Sequence, residues 1–310
     1  MTRCGTRCTR TPRDDRDAVI VVAGGSGLLG RQVVRSLLDG GRPVRVLVRD
    51  PDRARTALGD DAEVLTGDVR DRAAVTEALA GASVIVSAVH GFLGGRGAGP
   101  LEVDQRGNAN LVDAAAATGA HVVLISVLGA APDSSLDLFR AKHAAEQHLQ
   151  ASGTPWTIVR AGPFLQTWLT VMTQTAGTSG RPLIFGRGAR PIGFVSAVDV
   201  AALVSRAATD ATLRGQLLEV AGPAMTMTEL AGALQAARGW TGRLRHVPRP
   251  MLRVLATAAR PVNPAFARQN RAAVIMDTTP LATATDLTTL LGRPPQQLAE
   301  VISTHERAGA

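Results

Sequence analysis

Residues 18–23 read AVIVVA, a short run of apolar, β-branched side chains. That is the pattern of a strand buried on both faces. Glycines follow at once, in GGSGLLG, and apolar residues at helical spacing begin at Leu28 and run to Leu38. Gly40-Gly41 stops that helix. The alternation then repeats. Strands are predicted at 43–48, 63–65, 83–88, 121–126 and 157–160, and helices at 52–58, 71–79, 101–118 and 135–151. Strands separated by helices require right-handed crossovers, so the pattern predicts an α/β fold with a doubly wound parallel sheet. In such sheets ligands bind beyond the carboxyl ends of the strands.

After Pro163 the pattern is weaker. Residues 164–172 form an apolar stretch, helices are expected at 225–237 (capped by Thr226 or Thr228), 250–260, 287–291 and 295–303, and a strand at 245–247. The expected organisation is a leader at 1–17, a dinucleotide-binding domain at 18–163 and a smaller, mostly helical substrate lobe at 164–310. A strand-helix segment near 192–208 returns from that lobe to the sheet.

The turn after the first strand carries the first chemistry. Gly24, Gly27 and Gly30 fit a G-x-x-G-x-x-G spacing, while Gly25, Gly27 and Gly30 fit G-x-G-x-x-G. Either way, glycine lets bare backbone approach a diphosphate, and the helix opening at Leu28 and Leu29 aims its free amides at the anion. Ser26 lies in the same loop. At the end of the second strand, an acid would bind the ribose 2′-hydroxyl of NAD. Arg49 stands there instead, with Asp50 behind it, which favours NADP(H) over NAD(H). Asp68 and Val69, after the third strand, fall where adenine would lie; Asp68 equally suits a helix N-cap. Ala88 and Val89, at the end of the fourth strand, complete the expected cofactor edge.

Composition narrows the rest. Only 3% of residues are aromatic, so the core is built from Ala, Val and Leu. Both cysteines, Cys4 and Cys8, sit in the Arg-rich first stretch, with no neighbouring cluster to complete a metal site. No apolar run spans a bilayer, and a cytoplasmic protein without stable membrane insertion is expected. The net charge is +8, and residues 238–271 hold eight arginines and no acid. With few aromatics to stack on bases, that stretch reads as a solvated face or the rim of an anionic-substrate site rather than a nucleic-acid surface.

Among 34 basic residues, Lys142 is the only lysine. A compact ammonium retained where arginine has taken every other basic position points to a role, although a solvated pair with Glu146 is the ordinary reading of that spacing.

The glycine loop, VLVRDPDRA, GDVRD, NLVDAAAATGAHVVLISVLGA, KHAAEQHLQASGTPWTIVRAGPF and FVSAVDVA together resemble the NmrA-like atypical short-chain dehydrogenase/reductases. The resemblance runs from about Val19 to Pro223. It implies a Rossmann sheet with an NADP-type cofactor, Lys142 at the active-site lysine position, and a substrate lobe after Pro163. It also implies a structural, helix-capping role for Asp199. The Tyr-x-x-x-Lys motif of classical short-chain dehydrogenases is broken, as in several NmrA-like branches: Leu138 occupies the tyrosine position, and the chain has no tyrosine. Sugar-nucleotide epimerase or dehydratase chemistry, which needs that phenol, is thereby disfavoured.

Two readings stand. One is an NAD(P)H-dependent reductase of a quinone, enone or ketone; the other is a non-catalytic NADP(H) sensor. For the enzyme, Lys142 is expected to hold a ribose hydroxyl and offset oxyanion charge, Ser126 to donate a hydrogen bond, and His90 to relay a proton. His90 equally suits a structural role. His143 and His148 are expected to face solvent. Phe164 and Trp168 are candidates to wall a substrate pocket, with core packing the equal alternative.

Overall fold

The computed structural model describes residues 18–283 and 285–309. The expected leader, with Cys4 and Cys8, lies outside them.

The first half follows the hydrophobic pattern closely. β1 (Ile20–Ala23) leads through the glycine loop into α1 (Leu28–Asp39), then β2 (Val44–Val48), α2 (Pro51–Leu58), β3 (Glu63–Thr66), α3 (Arg72–Ala78) and β4 (Val84–Ser87). α4 (Asn108–Thr118), β5 (His121–Val127), α5 (Asp137–Ala151) and β6 (Trp156–Ala161) complete that half. The predicted helix over 101–118 is in fact two conformations: Leu101–Gly107 is wound as a π-helix before α4 begins. Such wide turns are rare and concentrate at functional sites.

Later elements are α6 (Leu165–Ala176), β7 (Leu183–Phe185), β8 (Ile192–Gly193), α7 (Ala197–Thr209), β9 (Gln216–Val220) and β10 (Ala224–Met225). α8 (Met227–Arg238), β11 (Arg245–Val247), α9 (Arg249–Ala258), α10 (Pro264–Thr278), α11 (Leu287–Leu291) and α12 (Leu298–Gly309) close the chain. Thr226 caps α8 in a reciprocal capping box with Glu229.

The main sheet has the order β3-β2-β1-β4-β5-β6-β9, with every pairing parallel. Alternate strand residues face opposite layers. Val22, Val46, Val86, Val123 and Val159 pack toward α1, α2 and α7, while Val21, Leu47, Ile85, Leu124 and Ile158 pack toward α3, α4 and α5. The return expected near 192–208 is made by its helix, α7; its strand, β8, pairs with β10 rather than with the main sheet, and the strand that does join, β9, was not anticipated. β9 joins the sheet beside β6, and α7 packs on α1, so residues 197–220 belong to the sheet domain.

The lobe has a core of its own, including Leu169, Met172, Ile184, Phe194, Leu230 and Leu234. Asp199 is structural but is not the cap of α7; Ser196 caps it. Asp199 lies within the first turn, where it accepts from Arg293 Nη2 and the Gln296 amide, each at 2.8 Å, and so ties the C-terminal segment to α7.

Candidate functional site

The glycines divide the work of the turn. Gly24 has a φ of +83°, and a Cβ there would lie 2.9 Å from the Ala88 carbonyl oxygen. The turn must therefore be glycine, and β1 and β4 exit side by side. A Cβ on Gly25 would strike Val46, and one on Gly30 would fall 2.2 Å from the Gly24 oxygen. Gly27 differs. Its nearest neighbour would be the Gly24 oxygen at 3.4 Å, an ordinary contact, and its φ of −77° suits any residue. Nothing inside the protein requires glycine there, which is the condition expected where a ligand supplies the missing neighbour. No side chain caps α1, whose first-turn amides remain open beside Ser26, Leu28 and Leu29. The residues fit a dinucleotide diphosphate.

At the end of β2, Arg49 is exposed and forms no hydrogen bond or ion pair among the described residues. Asp50 is committed elsewhere: its carboxylate caps α2 through the Arg53 amide at 3.0 Å. Asp68 does not cap α3, since Asp71 does. Asp68 is instead clasped by the Arg70 side chain and amide, and the Arg70 hydrogen bond holds its carboxyl below the usual range. Val69 is buried against the sheet core, and its carbonyl accepts from Asn110.

Lys142 is buried. Its ammonium donates to the carbonyls of Val89 at 3.0 Å and Ile125 at 2.9 Å, and pairs with Asp104 Oδ1 at 3.0 Å. An ammonium has three N–H groups. Two are donated to carbonyls and the charge is paired with Asp104, so the ammonium is held within the protein at the exits of β4 and β5. Glu146 is not its partner: that carboxylate lies one turn on, bound by Arg160 Nη2 at 2.6 Å and Nε at 3.0 Å.

Ser126 is redirected as well. Its hydroxyl is buried and donates to Glu146 rather than toward the cleft. His90 reaches the surface at the exit of β4, and desolvation by its surroundings lowers its pKa, against the pull of Asp104. His148 is exposed and pairs with Asp113 at 2.8 Å. His143, expected in solvent, is half-buried with Nδ1 enclosed.

Three residues escaped the sequence reading. Asp104, fully buried on the π-helical turn, takes Lys142 on one oxygen and the Gly91 amide on the other at 2.7 Å. Asn108 donates to the Asp104 carbonyl and accepts from Ser87. Arg268, on α10, pairs with Asp137 at 3.0 Å and donates to the carbonyls of Gly91, Phe92 and Gly94. The strap after β4 (residues 90–99) is thus held from the sheet by Asp104 and from the lobe by Arg268. The signal for Asp104 was present: Val103, Asp104, Gly107, Asn108 and Leu111 share a buried helical stripe, and an acid in such a stripe needs a partner. Arg268 carried none, because its partners lie more than 130 residues away.

In the lobe, Trp168 meets Phe185 edge-on at 6.2 Å and lines a small cavity with Ile192, Met227, Met276 and Asp277. Burial acts to raise the Asp277 pKa, but hydrogen bonds from Arg249 and the amides of Arg187 and Gly188 outweigh it and hold it down. Phe164 is separate from this cavity, packing on the sheet core just before α6.

The parallel sheet, the glycine turn and the strand-edge arginine define a Rossmann protein of the nicotinamide-dinucleotide class. The chain belongs to the NmrA-like family, whose profile matches residues 16–279. It is 31% identical over 303 residues to the NAD(P)H azoreductase of Xenophilus azovorans, covering 94% of this chain and 99% of the relative. Its fold superposes with a TM-score of 0.73 on an Escherichia coli NADPH-dependent quinone oxidoreductase solved with NADPH, at 25% identity, covering 92% of this chain and 99% of that one. A Citrobacter sp. triphenylmethane reductase solved with NADP(H) shares the fold, with a TM-score of 0.72 at 21% identity over 93% of this chain and 99% of the other.

Proposed function

We infer that this chain is an NAD(P)H-dependent oxidoreductase that passes hydride to a quinone-like acceptor, with NADPH the preferred reductant. The observation that carries this reading is the turn at Gly27, open to a ligand and closed to nothing else. The nicotinamide cofactor supplies the hydride. The protein binds its diphosphate with the amides of Leu28 and Leu29 and its 2′-phosphate with Arg49, and gives its adenine a floor at Asp68 and Val69.

A quinone suits a chain with no tyrosine, since the hydroquinone anion that hydride addition forms is already stabilised and needs little general acid. Lys142 acts here as a positioning residue. It fixes the Val89 carbonyl and, through Asp104, the Gly91 amide, and so sets the β4 exit against which the cofactor rests. His90, exposed at the same exit, takes the role of proton relay. Trp168 and Phe185 offer an apolar wall for a flat acceptor.

Purified protein is to be mixed with NADPH or NADH and a panel of benzoquinones, naphthoquinones and enones, with nucleotide oxidation followed at 340 nm. Turnover with quinones, faster with NADPH, is expected. Tight NADPH binding with no oxidation by any acceptor would replace this reading with that of a sensor.

A further inference from the structure

Seven large hydrophobic side chains are conspicuously exposed among the described residues, and six fall on two neighbouring segments. Met251 and Val254 project from α9, Val262 and Phe266 from the α9–α10 turn and the start of α10, and Leu93 and Leu101 from the strap and its exit. The segments are physically joined: Arg96 donates to the Pro261 carbonyl, and Arg268 to Gly91, Phe92 and Gly94. Within α9 the spacing is one-sided. Leu252 and Ala256 pack inward, while Met251, Val254 and Ala258, at i, i+3 and i+7, face out. Val254 is 64% exposed and Val262 87%.

The charge on the α9–α10 part of this face is equally one-sided, while Asp137 and Glu102 lie beside the strap. From Arg238 to Met276 there is no Asp or Glu. Arg249, Arg245 and Arg268 are used within the fold, by Asp277, by the Arg181 and Thr175 carbonyls, and by the strap. Arg253 and Arg260 are exposed and form no ion pair among the described residues.

We propose that the α9–α10 hairpin, with the strap it holds, is a docking face for an anionic phospholipid surface. Outward aliphatic side chains interleaved with arginines are what a helix lying in a bilayer interface presents: the apolar groups enter the acyl boundary, and the guanidinium groups stay at the phosphates. No helix among the described residues is long and apolar enough to cross a membrane, so the association is peripheral. A second copy of this chain is the poorer occupant, because a two-fold contact would set one arginine-rich α9–α10 hairpin, without an acid between residues 238 and 276, against another. A nucleic acid would use the arginines but gain nothing from Met251, Val254 and Val262. The face also carries the strap that borders the proposed cofactor edge, so a docked molecule would hold that edge at a lipid surface, where apolar quinone-like acceptors dissolve. That last step rests on the reading above; the docking does not.

The test is flotation of the full chain with phosphatidylcholine vesicles, with and without about one-third phosphatidylglycerol. Binding is expected only to the anionic vesicles, and it should weaken with salt. Met251→Asp/Val254→Asp should lower it by about tenfold or more, and Arg253→Gln/Arg260→Gln should remove most of its salt dependence. Leu217→Asp, at the one exposed hydrophobic away from this face, should leave it unchanged. Sedimentation velocity and a duplex-DNA titration accompany each variant. The proposal is overturned by any of three results: no vesicle binding, vesicle binding that the aspartates do not weaken, or a dimer or DNA complex that the aspartates alone dissolve. NADPH oxidation in vesicle-free buffer is read separately, so a failure of docking and a failure of the reductase reading remain distinct.

Discussion

The glycine turn and the strap after β4 lie on adjacent strand exits and would border the same cofactor, yet they are built in opposite ways. The turn is made by backbone alone: Gly24, Gly25 and Gly30 fold it against Ala88, Val46 and its own carbonyl, with no side-chain hydrogen bond involved. The strap is made by buried charge. Asp104 and Lys142 hold its root, and Arg268 reaches across from the lobe to hold its middle. A backbone cradle is rigid because alternatives clash. A charged clamp is rigid only while every partner is present, since removing one leaves the others desolvated and unpaired. The two regions should therefore fail differently when mutated.

The largest effect is expected at the clamp. Lys142→Met strands the fully buried Asp104 carboxylate and should cost about 3–5 kcal/mol of stability, read as a shift in the urea midpoint. Lys142→Arg should fare little better, because a planar fork does not reproduce two N–H bonds and an ion pair converging on one compact ammonium. Adding Asp104→Asn to Lys142→Met should restore a substantial part, since it removes the stranded charge and keeps an acceptor for the Gly91 amide. A Lys142→Met protein as stable as the parent would show that the ammonium is not a clamp.

Gly27 is the contrasting case. Gly27→Val places a side chain where the protein has room, so stability should hold within about 0.5 kcal/mol. NADPH affinity should fall by roughly 10²-fold or more, about 3 kcal/mol, as the side chain enters the diphosphate path. Gly30→Ala sharpens the comparison, because its Cβ meets the Gly24 oxygen at 2.2 Å and should destabilise the turn itself. Calorimetric titration beside thermal melts separates the two. Undiminished binding by the Gly27 variant would mean that the turn does not cradle phosphate.

The same contrast explains what the sequence disclosed. Strands, helices and the glycine turn were legible because each is fixed by local periodicity or by neighbours within a few residues. The α8 cap was found for that reason. Lys142 stood out by its uniqueness, but its ion-pair partner Asp104 did not, since spacing offered only Glu146 as the ordinary alternative. β9 was missed because a seventh strand after a lobe insertion has no local mark beyond QLLEV. Arg268 was read as part of a solvated arginine stretch because long-range partners leave no trace in spacing.

His121 tests how firmly the later strand is joined to the sheet. It is buried at the start of β5, and its Nε2 meets Thr157 Oγ1 at 3.0 Å, while Thr157 spends its own hydrogen on the Leu213 carbonyl just before β9. Nε2 is therefore the protonated nitrogen of a neutral ring. Burial lowers its pKa to about 4, against about 6.5 when unfolded. The unfolded chain thus binds a proton first, so stability is complete above about pH 6.5 and declines as pH falls toward 4. The decline attributable to this ring is at most about 3 kcal/mol. Urea midpoints across that range should show it, and His121→Gln should flatten the slope by that amount; parallel slopes for the two proteins would remove His121 as the cause.

The smallest expected effect concerns choice of cofactor, and it isolates the one place where the backbone cradle is helped by a charge. Arg49 stands exposed at the end of β2, and the neighbouring carboxylate, Asp50, is tied up capping α2. A ribose 2′-phosphate would meet a free guanidinium and no free acid; a ribose 2′-hydroxyl would find no carboxylate to accept its hydrogen bond. NADPH should accordingly bind more tightly than NADH. Arg49→Asp removes the attraction and adds a repulsion, so the NADPH-to-NADH affinity ratio should fall by about tenfold or more, 1.4 kcal/mol or upwards. Because the diphosphate turn is untouched, NADH affinity should change little, and most of the loss should fall on NADPH. High salt should shrink the difference between the parent and the variant, since an exposed charge is screened. Equal affinities for the two nucleotides in the parent protein would place the 2′-phosphate away from Arg49 and leave the turn alone responsible for binding.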